Sequence, residues 1–424
     1  MTELPLRDLE DVPRWVRRHL GHLMSDGSIV AGDQTRLDSP SLRGGQAAAD
    51  RALAGLDLRG YGLSRNEVWP VHRRGASMLS PYIRHGLLPL PRVWDDVAVS
   101  GAPTRDREKF RDELLWQEYS RHVYARLGRA TADPFRYAPT VRLGATDPWG
   151  GDLACVRLAV DELEQRGWLV NQTRMWLASH WSVRHGADWR VGEDRFFSHL
   201  LDGSRAANRV GWQWTVGAAT AKPYGFSRWQ VRKRAPGLCE QCRRRQDCPI
   251  DAWPAEPELL PVTAPPGLRE IGDVEAVAGP AGSPTPDKRA DAVWLTAESL
   301  GDDDPALAAH PELPAIFVFD EPLLARLRLS SKRLVFLAEC LADLGARREL
   351  TVFVGDPLAV LAERSLATTF APVPGNRRLR AVLDIAELHP WPWLRRPSPG
   401  PVTSFSAWRG QPSGRQTGPR RPKS

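Results

Sequence analysis

The chain has 424 residues, 42% hydrophobic and 26% charged, the balance of a soluble globular protein with two or three domains. It holds no apolar run of about 18 residues to cross a bilayer. Its amino end (MTELPLRDLEDVPRW) lacks the apolar core of a secretory signal, so a cytoplasmic chain is expected. The net charge of +7 suits a polyanionic partner such as DNA, and equally the Arg-rich usage of a GC-rich genome.

Residues 1 to about 55 read as helices with polar breaks (SDGS, AGD, DSPS). From 56 to about 254 the pattern stays helical: 110–127, 153–178 and 193–201 place apolar residues at helical spacing, and strand signals are nearly absent. Across 255–288 Pro, Gly and Ala dominate (EPELLPVTAPPGL, AGPAGSPTPDKR), the composition of a linker. Then the period changes. AVWL (292–295), AIFVFD (315–320) and LTVFVGD (350–356) are short β-branched and aromatic runs with helical stretches between them, notably 331–344. Strands alternating with helices predict an α/β domain with a parallel sheet. The end, from Arg409 on, is basic and rich in Gly and Pro, the composition of a disordered tail. The expected division is 1–254 helical, 255–288 linker, 289–408 α/β and 409–424 tail.

Five cysteines in a chain of this size argue against a disulfide framework. Cys239, Cys242 and Cys248 cluster after a basic run, and Cys155 supplies a fourth thiol upstream. Two site types compete. A structural zinc takes four tetrahedral ligands at such spacing. A [4Fe–4S] cluster takes four thiolates, one often distant and one often followed by Pro, as in Cys248-Pro249. Cys340, in the 331–344 stretch, reads as a small buried apolar residue.

Several blocks carry a resemblance. GASMLSPYIRHG (75–86), ELLWQEYSRH (113–122), GWLVNQTRM (167–175), DWRVGEDRFF (188–197) and DGSRAANRVGWQW (202–214) lie in the helical half. LGDDDPALAAH (300–310), PAIFVFDEPLL (314–324), GDP (355–357) and TSFSAWR (403–409) lie in the α/β half. Over roughly residues 45 to 410 the chain resembles the photolyase/cryptochrome family with its two halves in reverse order, as in a circular permutation. The implied fold is an α+β multidomain protein: an all-helical, photolyase-type FAD-binding domain followed by a Rossmann-like α/β domain.

The resemblance implies FAD as cofactor, blue light as trigger and UV-damaged DNA as partner. It places Tyr61 and the loop Ala76, Ser77, Met78, Leu79 and Ser80 at the cofactor, with Ala76 where the family has Thr. It places Asn171 near flavin N5 and pairs Arg174 with an acid over the ring. Asp202, Gly203, Ser204 and Asn208 complete the flavin set, Ser204 standing where the family has a second Asp. Trp212 and Trp189 match the first two members of the electron-transfer chain; the third stays open, with Trp149 a candidate. Glu113, Trp116, Met175 and Trp214 match the lining of a pyrimidine-dimer pocket, whose physics asks for aromatic walls and a hydrogen-bonding carboxyl. Gln117 and Thr173 replace two basic residues of that pocket.

Cys155 stands nineteen residues before Arg174, and the other three cysteines follow Lys222–Tyr224, both as in the iron–sulfur bacterial branch, which favours [4Fe–4S] over zinc. Thr296–Ser299 replaces the Arg-Asp-Leu-Arg that follows the family's first strand, so the resemblance does not extend to an antenna chromophore. The expected activity is light-driven dimer repair, a deoxyribodipyrimidine photolyase-like lyase; the alternative is a cryptochrome-like photoreceptor without repair.

Overall fold

A computed structural model describes residues 2–5, 11–26, 36–142, 147–285 and 288–412. The helical half contains α1 (Val12–Leu20), α2 (Gln46–Ala54), α3 (Tyr61–Ser64), α4 (Ser80–Arg84), α5 (Leu90–Val99) and α6 (Thr104–Leu127). It continues through α7 (Ala154–Asp161), α8 (Asn171–Ala178), α9 (Trp189–His199), α10 (Arg205–Thr215) and α11 (Arg228–Arg234). The expected single helix over 153–178 is broken: α7 runs into a π-turn, Gly167 turns left-handed at φ 68°, and α8 starts afresh at Asn171. A left-handed turn of this kind suits Gly because it has no Cβ. Trp176, Trp189 and Trp212 are among the most deeply buried side chains of this half.

The second half forms a six-stranded sheet. Its strands are β1 (Thr2–Leu4), β4 (Ala292–Leu295), β5 (Ala315–Asp320), β6 (Leu350–Gly355), β7 (Leu366–Thr369) and β8 (Ile385–His389), in the order β1-β6-β5-β4-β7-β8. β4 to β8 run parallel and β1 antiparallel on the edge. The order reverses at β4, as in doubly wound folds. β4 is buried along its whole length, which is why AVWL reads as a continuous apolar run. The second half also carries α12 (Val274–Ala278), α13 (Pro305–Ala309), α14 (Glu321–Leu327), α15 (Ser331–Gly345), α16 (Pro357–Leu361), α17 (Pro374–Arg380) and α18 (Phe405–Arg409).

Three expected boundaries change. Residues 1–55 do not lie wholly in the helical half, since β1 joins the sheet and α1 packs on α15. A three-residue strand carries too few side chains to show a period. The 255–288 segment is not a free linker. Its β3 (Leu259–Pro261) pairs with β2 (Tyr137–Pro139), so the helical half is not all-helical, and Leu268 and Val277 are buried. The Trp393 indole donates to Ala278 O at 2.8 Å. Its Pro-rich composition limits ladder bonding but not burial. Arg409 closes α18 and pairs with Asp112 at 2.9 Å; of the predicted basic tail, 413–424 lies outside the described residues.

α15 joins the halves. Its fully buried Arg333 donates to the carbonyls of Phe197 and Gly203, the latter at 3.0 Å. The loop after β4 is docked in the same way: Glu298 pairs with Arg84 at 2.8 Å and Ala297 O meets His85 Nδ1 at 2.7 Å.

Glu118, on α6, is fully buried and accepts from Arg395 N at 3.0 Å. Burial pushes its carboxyl up to about 7, opposed by Arg121. An unfolded Glu titrates near ~4, so between about pH 4 and 7 the native state binds the extra proton and stability falls as pH rises. Glu118→Gln is therefore expected to gain stability relative to wild type across that window and to hold the gain above it. Urea midpoints at pH 5 and 8 check this; an equal difference at both pH values would sink it.

Candidate flavin and thiol sites

Arg174 and Asp202 meet at the centre of the helical half. Arg174, on α8, donates through Nη2 to Asp202 Oδ2 at 2.8 Å and through Nε to Leu169 O at 3.2 Å. Asp202 opens the turn before α10, and its Oδ1 is buried without a hydrogen-bond partner. Nδ2 of buried Asn208, on α10, is likewise unpartnered. A buried acceptor and a buried donor left open cost free energy unless a ligand satisfies them. Gly203, between Asp202 and Ser204, has no room for a Cβ, which would stand 2.7 Å from Leu200 O and 2.8 Å from Arg333.

The 76–80 loop leads into α4. Met78 holds a left-handed φ of 55°, a strained conformation for a non-glycine residue. Ser77 Oγ accepts weakly from Leu79 N at 3.5 Å, and Ser80 Oγ accepts from Trp168 Nε1 at 3.2 Å. Leu79 and Tyr61 are buried, and burial raises the Tyr61 hydroxyl pKa. Asn171, first residue of α8, is exposed.

Trp212 packs on Phe196 at 5.2 Å and on Trp149 at 6.5 Å between ring centroids; Trp149 in turn meets Trp181 at 4.8 Å. Trp189 lies one turn before Gly192 on α9, where a Cβ would stand 2.4 Å from the Trp212 ring. Trp149 is buried. Trp181 was not legible in the sequence, since a buried Trp beside another shows no distinguishing spacing.

Glu113 and Trp116 on α6, Met175 on α8 and Trp214 on α10 sit on helices that pack on one another. Trp116 is 38% exposed and Trp214 41%, unusual for indoles. Trp214 leans on Tyr224 at 6.0 Å. Glu113 is bound by Arg65 at 2.9 Å and Lys109 at 3.0 Å. Phe405 of α18 stacks on Trp116 at 3.9 Å with the planes 9° apart. Buried Trp408 anchors that segment through an indole bond to His122 at 2.9 Å. TSFSAWR was visible in the sequence, but its place against α6 was not. Gln117 is half-buried and Thr173 is buried, its hydroxyl spent on Val170 O.

Cys155, Cys239, Cys242 and Cys248 line one small pocket, with Leu153, Val231, Leu238 and Ile250 as apolar wall and Arg228, Arg244 and Arg245 around it. Ala154 N points at Cys242 Sγ at 3.4 Å. Burial, and then the three neighbouring thiols, push the Cys155 pKa up, so a cation is what would allow four thiolates here. One tetrahedral zinc would hold its sulfurs ~3.8 Å apart, given Zn–S of ~2.3 Å. A cubane binds each thiolate through a different iron and spaces them more widely.

Residues 155–235 match a family described as the FAD binding domain of DNA photolyase. A deoxyribodipyrimidine photo-lyase of Vibrio cholerae is 30% identical over 221 residues, 46% of this chain and 46% of that protein. A bacterial class III photolyase structure from Agrobacterium tumefaciens is 26% identical with a TM-score of 0.36, covering 40% of this chain and 37% of that one. A Synechocystis cryptochrome structure is 22% identical with a TM-score of 0.41, covering 46% and 44%. The chain thus spans about half the length, or less, of the relatives it matches.

Proposed function

We propose that the chain, similar to the photolyase/cryptochrome family, binds FAD between α8, α10 and the 76–80 loop and uses blue light to split pyrimidine dimers in DNA. Bound FAD would supply light absorption and one-electron transfer. Arg174 fixes Asp202 by one carboxylate oxygen, leaving Oδ1 to accept an N–H of the ligand. Asn208 Nδ2 is free to donate to it. Ser77, Ser80 and the loop amides suit a pyrophosphate, since free N–H groups at a helix start favour anions. Trp212 and Trp189 are the proposed electron donors, with Trp149 and Trp181 continuing from Trp212. Asn171 is proposed near the ligand's redox edge.

The observation that carries the repair reading is the pair of exposed indoles, Trp116 and Trp214, on packed helices beside Glu113 and Met175. The indoles would stack a flipped lesion and Glu113 would accept from its base edge. The photoreceptor reading draws on one specific contact: Phe405 already covers a face of Trp116. Gln117, Thr173 and Ser204 point the same way. For the four thiols we propose [4Fe–4S], supported by four cysteines lining one pocket with Cys248 followed by Pro249. The helical half preceding the α/β half is read as a circular permutation of the family order, which nearby termini at a domain surface make tolerable.

The test is illumination of the anaerobically reduced full chain with UV-damaged oligonucleotide, scored by dimer loss. Dimers are expected to disappear, and Trp214→Ala to slow the loss by about tenfold, the stacking of one base being worth ~1–3 kcal/mol. Reduced, flavin-loaded protein that leaves the dimers intact would overturn repair in favour of the photoreceptor.

A further inference from the structure

In the α/β half, at the carboxyl end of the sheet, two histidines and a glutamate converge. Glu387 and His389 stand two residues apart on β8 and so share one face of the strand. His310 follows the last turn of α13. Its Nε2 lies 2.7 Å from Glu387 Oε2, and His389 Nε2 lies 3.3 Å from the same oxygen. All three ligand atoms fall within 4.8 Å of one another. The imidazole planes cross at 87°, with centroids 5.5 Å apart. Glu387 and His389 are buried and His310 is partly exposed.

His389 Nε2 makes no hydrogen bond despite its depth: the 3.3 Å approach to Glu387 does not satisfy bonding geometry. A buried nitrogen without a well-formed hydrogen bond costs free energy that a ligand would recover. The surrounding backbone is fixed. Phe370 N donates to His389 O at 2.8 Å, and Arg348 holds the carbonyls of His310 and Leu313 at 3.0 and 2.6 Å. Rigid strand and helix-end positions of this kind hold ligands more precisely than loops do.

We propose that His310, Glu387 and His389 form a second metal site, for a borderline divalent cation of the zinc class, joining α13 to β8. Two imidazoles and a carboxylate are a three-ligand set that zinc accepts with its fourth position open to water, and the partly exposed His310 marks the side from which water enters. Nitrogen and oxygen donors distinguish it from the four thiols, which would take softer chemistry. The proposal does not depend on the flavin reading.

The experiment uses the full chain, freed of loosely held metal by a chelator and titrated with Co²⁺ as spectroscopic probe. One equivalent is expected to give ligand-field bands without thiolate-to-cobalt charge transfer. His389→Asn and the partly exposed His310→Asn are each expected to abolish those bands, while Cys155→Ser keeps them. The same titration with zinc is expected to raise the thermal midpoint of wild type but not of His310→Asn. No such bands in wild type, bands with thiolate character only, or bands unchanged in His310→Asn would each overturn the site.

Discussion

Cys155→Ser is expected to lose the metal proposed for the four-thiol pocket and with it at least ~3 kcal/mol of stability, the scale of removing a native cross-link. Cys155 sits buried in the first turn of α7, whereas its three partners lie in the loop that follows α11. A metal bound by all four ties elements far apart in sequence, and its binding free energy becomes folding free energy. Serine keeps the size but not the thiolate. Loss of ~3 kcal/mol corresponds to a drop of roughly 6–12 °C for a domain of about this size. Cys340→Ala is the control: that thiol is buried on α15 beside Gly45 N, outside the cavity. Iron and acid-labile sulfide content with thermal unfolding check this, and unchanged iron in Cys155→Ser would refute cluster ligation by that residue.

Arg174→Ala is expected to cost ~3–5 kcal/mol and most of the bound flavin. Removing one partner of a buried pair strands the other charge, and that penalty exceeds what the pair itself contributes. Asp202 would keep neither oxygen partnered, since Oδ1 has no hydrogen bond even with Arg174 present. Arg174→Lys is expected to recover part of the loss, because an ammonium restores the charge but cannot hold Asp202 and Leu169 O together as the guanidinium fork does. The ratio of flavin to protein after purification, with a thermal melt, measures both effects. Full flavin content in Arg174→Ala would place the cofactor elsewhere.

Much of this architecture was legible in the chain. β4, β5 and β6 fall where β-branched runs alternate with helices, and α15 begins at the predicted residue. β7 and β8 were not visible, because LATT and IAELH carry too few strong strand formers to stand out. Within the candidate flavin site, Arg174 and Asp202 stand out in their motifs, and their pairing is observed at 2.8 Å. Phe405 on Trp116 was not readable, since nothing local tells a terminal aromatic which helix it will meet.

The sequence by itself determined composition class, the helical and α/β halves, and which residue types cluster, because periodicity and motif spacing are local properties of the chain. Only the tertiary structure decided that β1 closes the far edge of the sheet. Only it decided that 255–288 is packed rather than free, that four thiols from two distant segments face one cavity, and that His310 meets Glu387 and His389. Each of those depends on contacts between residues scores or hundreds of positions apart. Such contacts are selected by burial and shape complementarity across the whole core, and no local pattern encodes them.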